Sequence, residues 1–112
     1  MKIGEEKIGG IDVLKLEGRL DASSSKAMKE KVNALTKQNR TSLVVDMEGV
    51  DFIDSTGLGT LVASLRSLNK LGGDVKIAAL QDQVRAILEL TRLHHIFGIY
   101  ENCEAAAASF DG

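Results

Sequence analysis

The 112-residue chain has one cysteine, Cys103. A single thiol excludes an internal disulfide and a cysteine-based metal cluster, and it fits a reducing compartment. Basic side chains are not in excess: 14 Lys and Arg stand against 16 Asp and Glu, for a net charge of −2. Such a balance gives no electrostatic footprint for a phosphate backbone, so direct nucleic-acid binding is not expected. No apolar run approaches the roughly 20 residues of a membrane span. The start, Met1-Lys2-Ile3-Gly4-Glu5-Glu6, lacks the apolar core of a signal peptide. A cytoplasmic protein with no membrane partner is the default expectation. Repeats and low-complexity stretches of any consequence are absent too. The length sets one domain, 1–112, and the 44% apolar fraction suffices for one core.

The apolar pattern alternates between strand and helix. Residues 2–8 and 11–16 read as two strands joined by glycine turn chemistry at Gly9-Gly10. Lys2, Glu5, Glu6 and Lys7 mark the first as an exposed edge, where charge blocks edge-to-edge pairing. Gly18-Arg19-Leu20-Asp21 ends the second. Asp21 or one of Ser23, Ser24 and Ser25 caps a helix to about Gln38, with Met28, Val32 and Leu35 on its inner face. Lys26, Lys29, Glu30, Lys31 and Lys37 form its solvated face. Ser42 to Met47 is a buried strand around Leu43-Val44-Val45. A helix follows to about Leu71, on the stripe Leu58, Leu61, Val62, Leu65 and Leu68, and stops at Gly72-Gly73. A strand lies within 74–80. The third helix starts at Gln81 or Asp82, with Val84, Ile87, Leu88 and Leu90 or Thr91 inward. Residues 96–100 give a short last strand, and Asn102 caps a final helix through the alanine run to Phe110. The order β-β-α-β-α-β-α-β-α predicts an α/β fold: a mixed, mostly parallel sheet with an antiparallel edge hairpin and about four helices.

The informative stretch is Val50-Asp51-Phe52-Ile53-Asp54-Ser55-Thr56-Gly57-Leu58-Gly59-Thr60. It lies where a buried strand gives way to a helix. Such a junction sets free N–H groups and the positive end of a helix dipole beside the Ser55 and Thr56 hydroxyls. Asp54 or Ser55 is the N-cap. Gly57 and Gly59 stand in the first turn, where each costs about 0.5–1 kcal/mol relative to alanine. Two explanations stay open: close packing of the helix start on the sheet, or the approach of a partner surface. If the strands before Gly18 and Asp51 are neighbours, the segments 18–21 and 51–57 share the rim on which α/β proteins place their function.

Other chemistries find less support. Gly57-x-Gly59 continues into neither a dinucleotide fingerprint nor a P-loop, and Ser55 is not in a Gly-x-Ser-x-Gly elbow. The two histidines, His94 and His95, are expected to diverge near the C-terminal end of the third helix, as surface or capping groups, with no third metal ligand evident. Asp46, Asp51 and Asp54 suggest a receiver-type Mg²⁺ site, but the neighbouring loop adds only Asp21 and no strand-end lysine. No catalysis, cofactor or metal is expected, and Cys103 carries no redox role.

Asp54-Ser55-Thr56-Gly57-Leu58-Gly59, together with Gly18-Arg19-Leu20-Asp21 at the usual separation, resembles the anti-sigma factor antagonists, the bacterial single-domain STAS proteins. The resemblance covers essentially the whole chain and implies the STAS fold. It implies that Ser55, directly after the Asp, is the phosphoacceptor. The implied partners are an anti-sigma factor serine kinase, which holds ATP and Mg²⁺ itself, and a serine phosphatase, with an indirect effect on a sigma factor. The partner surface expected from it is Arg19, Leu20, Asp21, Asp54, Ser55, Thr56, Gly57, Leu58 and Gly59. Thr56 is carried as an inward or capping hydroxyl, or as a second phosphosite. Leu58 stands between core and contact. The alternatives are a ligand-sensing STAS module for a nucleotide or lipid, and a phospho-switch scaffold in another bacterial pathway; a serine hydrolase comes last.

Overall fold

The computed structural model describes residues 1–110; Asp111 and Gly112, included in the expected 1–112 domain, lie outside the described residues. One five-stranded sheet runs in the order β1-β2-β3-β4-β5, formed by Lys2–Ile8, Ile11–Leu20, Ser42–Ile53, Asp74–Ala78 and Gly98–Tyr100. β1 and β2 are antiparallel, and the other pairs are parallel. Gly9 and Gly10 make the hairpin turn with φ of 55° and 83°. Both values are cheap only for glycine, and they match the strand twist of a two-residue hairpin. The helices are α1 (Ala22–Lys37), α2 (Ser55–Lys70), α3 (Asp82–Leu90) and α4 (Cys103–Ala108), with a 3₁₀ turn at Leu93–His95. The predicted class and element order are as read from the sequence.

Side chains alternate across the sheet, so each strand feeds two cores. On one face Leu14, Leu16, Leu43, Val45, Met47 and Ile77 pack with Met28 and Val32 of α1, Leu61 and Leu65 of α2, and Val84 and Leu88 of α3. On the other, Val13, Val44 and Ala78 meet Ala106 and Ala107 of α4. Small alanines let this short helix sit close to the sheet. Lys76 lies 4.7 Å from the Phe110 ring centroid and 5.6 Å from that of Tyr100, joining β4 to the segment after α4.

Several boundaries differ from the sequence expectation. β2 does not stop at Leu16 but runs to Leu20, and β3 runs beyond Met47 to Ile53. The two extensions pair with each other, Gly18 with Val50, Arg19 with Phe52 and Leu20 with Ile53, so Gly18-Arg19-Leu20 is strand rather than turn. Glu17, Glu48 and Asp51 on these extensions are exposed while Val50 and Ile53 are buried, so the continuous apolar run ends before the strands do. β5 is shorter than expected, leaving Ile96 48% exposed before it. In α3 the inward face is Val84 and Leu88, with Ile87 half-buried. Leu90 is 84% exposed, and Thr91 is an exposed C-cap, because the helix ends before a third turn brings the stripe round again.

Candidate functional site

The site is the rim where the extended ends of β2 and β3 hand over to α1 and α2. Asp21 caps α1: its carboxylate accepts from the Ser23 backbone N–H at 3.0 Å and the Ser23 hydroxyl at 2.6 Å, while its own N–H donates to Ser24 Oγ at 2.9 Å. The Ser24 backbone N–H also donates to the Asp21 side chain, and this exchange between Asp21 and Ser24 is a capping box. The Ser23 hydroxyl is the main cause holding the Asp21 carboxyl below its ordinary value, so it is ionised at neutral pH. Asp54, not Ser55, caps α2, its Oδ1 accepting from Gly57 N at 2.8 Å. The Ser55 hydroxyl is thereby relieved of cap duty, and Ser55 is exposed at the first position of a sixteen-residue helix.

The two segments touch through their backbones. Asp54 N donates to Leu20 O at 3.4 Å. A Cβ on Gly57 would stand 2.1 Å from that same carbonyl, inside any permitted contact. The glycine therefore lets the first turn of α2 sit directly on the end of β2. Around Gly59 a Cβ would meet nothing within 4 Å, and the residue is exposed. The two explanations left open by the sequence thus divide: Gly57 serves close packing, and Gly59 leaves open space at the surface.

Of the nine expected surface residues, Arg19, Ser55, Thr56 and Gly59 are exposed, and Asp21, Asp54 and Leu58 are half-buried. Leu20 and Gly57 are buried, so Leu20 serves the rim from beneath, through its carbonyl. Thr56 does not point inward. The inward hydroxyl of this turn belongs to Thr60, 1% exposed, which donates to Thr56 O at 3.0 Å and pairs across helices with Ser25 Oγ. Thr60 shares a helical face with Leu61, Ser64 and Leu68, which was the available signal. Phe52 was also missed. Its ring lies 3.8 Å beneath the Arg19 guanidinium, whose Nε is 3.5 Å from Asp21 Oδ2, so Arg19 is held flat at the rim.

The remaining candidates lie elsewhere. Asp46 is buried, with Oδ1 accepting from Glu48 N at 3.0 Å. Among the described residues no three His, Cys, Asp or Glu side chains gather to hold a metal ion. Burial first, and then the Asp46 carboxylate, push the Cys103 thiol up to about 12, so it stays protonated at neutral pH. His94 and His95 do not diverge: their rings lie against each other, tilted by 36° with centroids 4.0 Å apart, and His94 Nδ1 lies 3.4 Å from Leu88 O near the end of α3. No helix among the described residues is long and apolar enough to cross a membrane.

Comparison with known proteins places this geometry. The STAS domain family model matches residues 3–106. The anti-sigma F factor antagonist of Paenibacillus polymyxa is 25% identical over 103 residues, covering 91% of this chain and 88% of its own. The anti-sigma-B factor antagonist of Staphylococcus aureus is 28% identical over 91 residues, covering 81% and 84%. The crystal structure of an anti-sigma factor antagonist from Mycobacterium paratuberculosis superposes with a TM-score of 0.88 at 25% identity, over 99% of this chain and 94% of that one. With a family match over nearly its full length, the same order of strands and helices, and the two rim segments meeting at Leu20 and Gly57, the chain belongs to the STAS domain family.

Proposed function

We propose that this chain is an anti-sigma factor antagonist switched by phosphorylation of Ser55. The unphosphorylated form binds an anti-sigma factor with serine-kinase activity and so frees a sigma factor. That kinase, carrying its own ATP and Mg²⁺, phosphorylates Ser55 and is released; a separate serine phosphatase restores the binding form. The chain itself is an interaction protein, not an enzyme. The observation that carries this reading is the exposed Ser55 hydroxyl at the start of α2, freed from capping by Asp54 and set on one rim with Arg19 and Asp21. The names of the Paenibacillus and Staphylococcus relatives support it. Phosphate is well accommodated at a helix N-terminus, where free N–H groups and the dipole favour negative charge.

The test is intact-mass and peptide mapping of the protein purified from its own cells. A single phosphate on Ser55 supports the switch. Its absence under several growth conditions, and after incubation with a candidate kinase and ATP, would move the assignment to a ligand-sensing module. A phospho-switch scaffold in another bacterial pathway would use the same site with a different partner, and the partner recovered on affinity capture separates the two.

The rim also makes a prediction for Arg19. Its side chain is 61% exposed, and its contacts are the Phe52 ring and Asp21. Arg19→Glu is expected to weaken binding to the anti-sigma factor about tenfold, by reversing charge at the contact. The accompanying loss of stability should be about 1 kcal/mol or less, the worth of one exposed cation–π contact. Titration calorimetry and a thermal melt read the two effects separately. A changed melt with unchanged affinity would remove the first segment from the interface.

A further inference from the structure

β3 has twelve residues, and β4 covers only its first five, from Ser42 opposite Asp74 to Asp46 opposite Ala78. Past Asp46 no strand among the described residues lies beside the outer edge of β3, yet this overhang leads directly into Asp54 and Ser55. Backbone carbonyls on such an edge need partners from water or side chains. Two glutamines at the start of α3 supply them. Gln81 Nε2 donates to Glu48 O at 2.6 Å, and Gln83 Nε2 approaches Asp51 O at 3.5 Å. Gln83 Nε2 also donates to Gln81 Oε1 at 2.7 Å, which orients the first amide.

Two features show that this arrangement is favoured over simpler local ones. Gln81 occupies the N-cap position of α3, where an Asp, Ser, Thr or Asn side chain would accept a first-turn N–H, and it makes no such bond. Its amide is turned on β3 instead. Between β4 and α3, Ala79 holds φ at 59°, a left-handed value that a side chain disfavours. Its N–H is fixed by Tyr100 O at 3.0 Å. The chain therefore leaves β4 through a strained turn that brings Gln81 beside Glu48.

We propose that Gln81 and Gln83 are positioning residues, a two-glutamine clamp by which α3 holds the overhanging half of β3 and thereby the Asp54–Ser55 junction. The consequence for phosphorylation rests on the reading of Ser55 as the phosphoacceptor; the clamp itself does not. Gln81→Met keeps the length and stem of the side chain and removes the amide. Amide hydrogen exchange, followed residue by residue, should quicken about three- to tenfold at 50–54, the factor that one net hydrogen bond implies. Exchange in α1 and at 43–46 should not change, because the opening is local. Gln81→Lys, which restores an N–H donor on a long stem, should bring the rate back towards wild type.

Unchanged exchange at 50–54 would overturn the clamp. So would an equal rise in all elements, which is the mark of global destabilisation, or failure of the lysine variant to rescue. The fraction of Ser55 phosphorylated in the protein's own cells should fall in Gln81→Met and recover in Gln81→Lys. If wild-type protein carries no phosphate on Ser55, the functional reading fails, while the exchange measurement still decides the clamp.

Discussion

Gly57→Ala is expected to destabilise the protein by about 3 kcal/mol, at the upper end of the usual range for overpacking. In a domain of this size that lowers the melting temperature by on the order of 15 °C. The new Cβ would stand 2.1 Å from Leu20 O and 2.9 Å from Ile53 Cγ1. The side chain of Ile53 has some freedom to turn aside, but the Leu20 carbonyl does not. It belongs to the last residue of β2, which pairs with Ile53, and it accepts the N–H of Asp54. Relief therefore requires α2 to lift from the sheet or the end of β2 to separate from β3. Gly59→Ala, two residues on, is the control. Its Cβ meets nothing within 4 Å, so the change should stabilise by about 0.5–1 kcal/mol through helix propensity alone. Thermal melts of the two variants should move in opposite directions. A wild-type melt for Gly57→Ala would mean that α2 is not seated on Leu20. If the partner approaches this turn closely, Gly59→Ala should raise stability and lower affinity together.

This pair also shows where sequence reading stops. Both glycines were recognisable as costly in a first helical turn, and both explanations for them were available. Choosing between them needs the atom that stands opposite, and Leu20 O is thirty-seven positions away in the chain from Gly57 by numbering alone. The order of elements was legible because the apolar periods change cleanly, from the run at 43–45 to the stripe at 58, 61, 62, 65 and 68. The extensions of β2 and β3 were not. Glu17, Glu48 and Asp51 are exposed on strands that bury only one side there, and local polarity reads the same for such a strand as for a loop. Thr56 was open between an inward or capping hydroxyl and a second phosphosite; the inward hydroxyl is Thr60, whose place on the face of Leu61, Ser64 and Leu68 was readable, but a hydroxyl in an apolar stripe draws less notice than a leucine. Leu20 was counted as surface through its motif, although its side chain is fully buried.

If the proposed function holds, Ser55→Asp is expected to leave the fold intact and weaken binding to the proposed anti-sigma factor partner by about tenfold or more, with authentic phosphoserine reaching about a thousandfold, equivalent to roughly 4 kcal/mol. In the free protein the added charge lies at the positive end of α2, where an anion is worth about 0.3–1 kcal/mol. The melting temperature should therefore hold or rise slightly. Ser55→Ala should also melt like wild type, since Asp54 makes the cap, and it should bind but never be phosphorylated. In the complex the same charge has the opposite effect. A phosphate adds about −1.5 to −2 charges to a rim that already carries the carboxylates of Asp21 and Asp54. Burial beneath a partner strips water from that dianion, and partner acids or bound nucleotide repel it. Calorimetric binding and thermal melts on the same samples separate the two effects. Retention of full affinity by both Ser55→Asp and phosphoserine would exclude release by phosphorylation. Loss of affinity accompanied by a collapsed melt would instead place the effect in the fold, contrary to a helix N-terminus that favours the charge. A stable protein with lost affinity is the result expected when the interface alone pays for the phosphate.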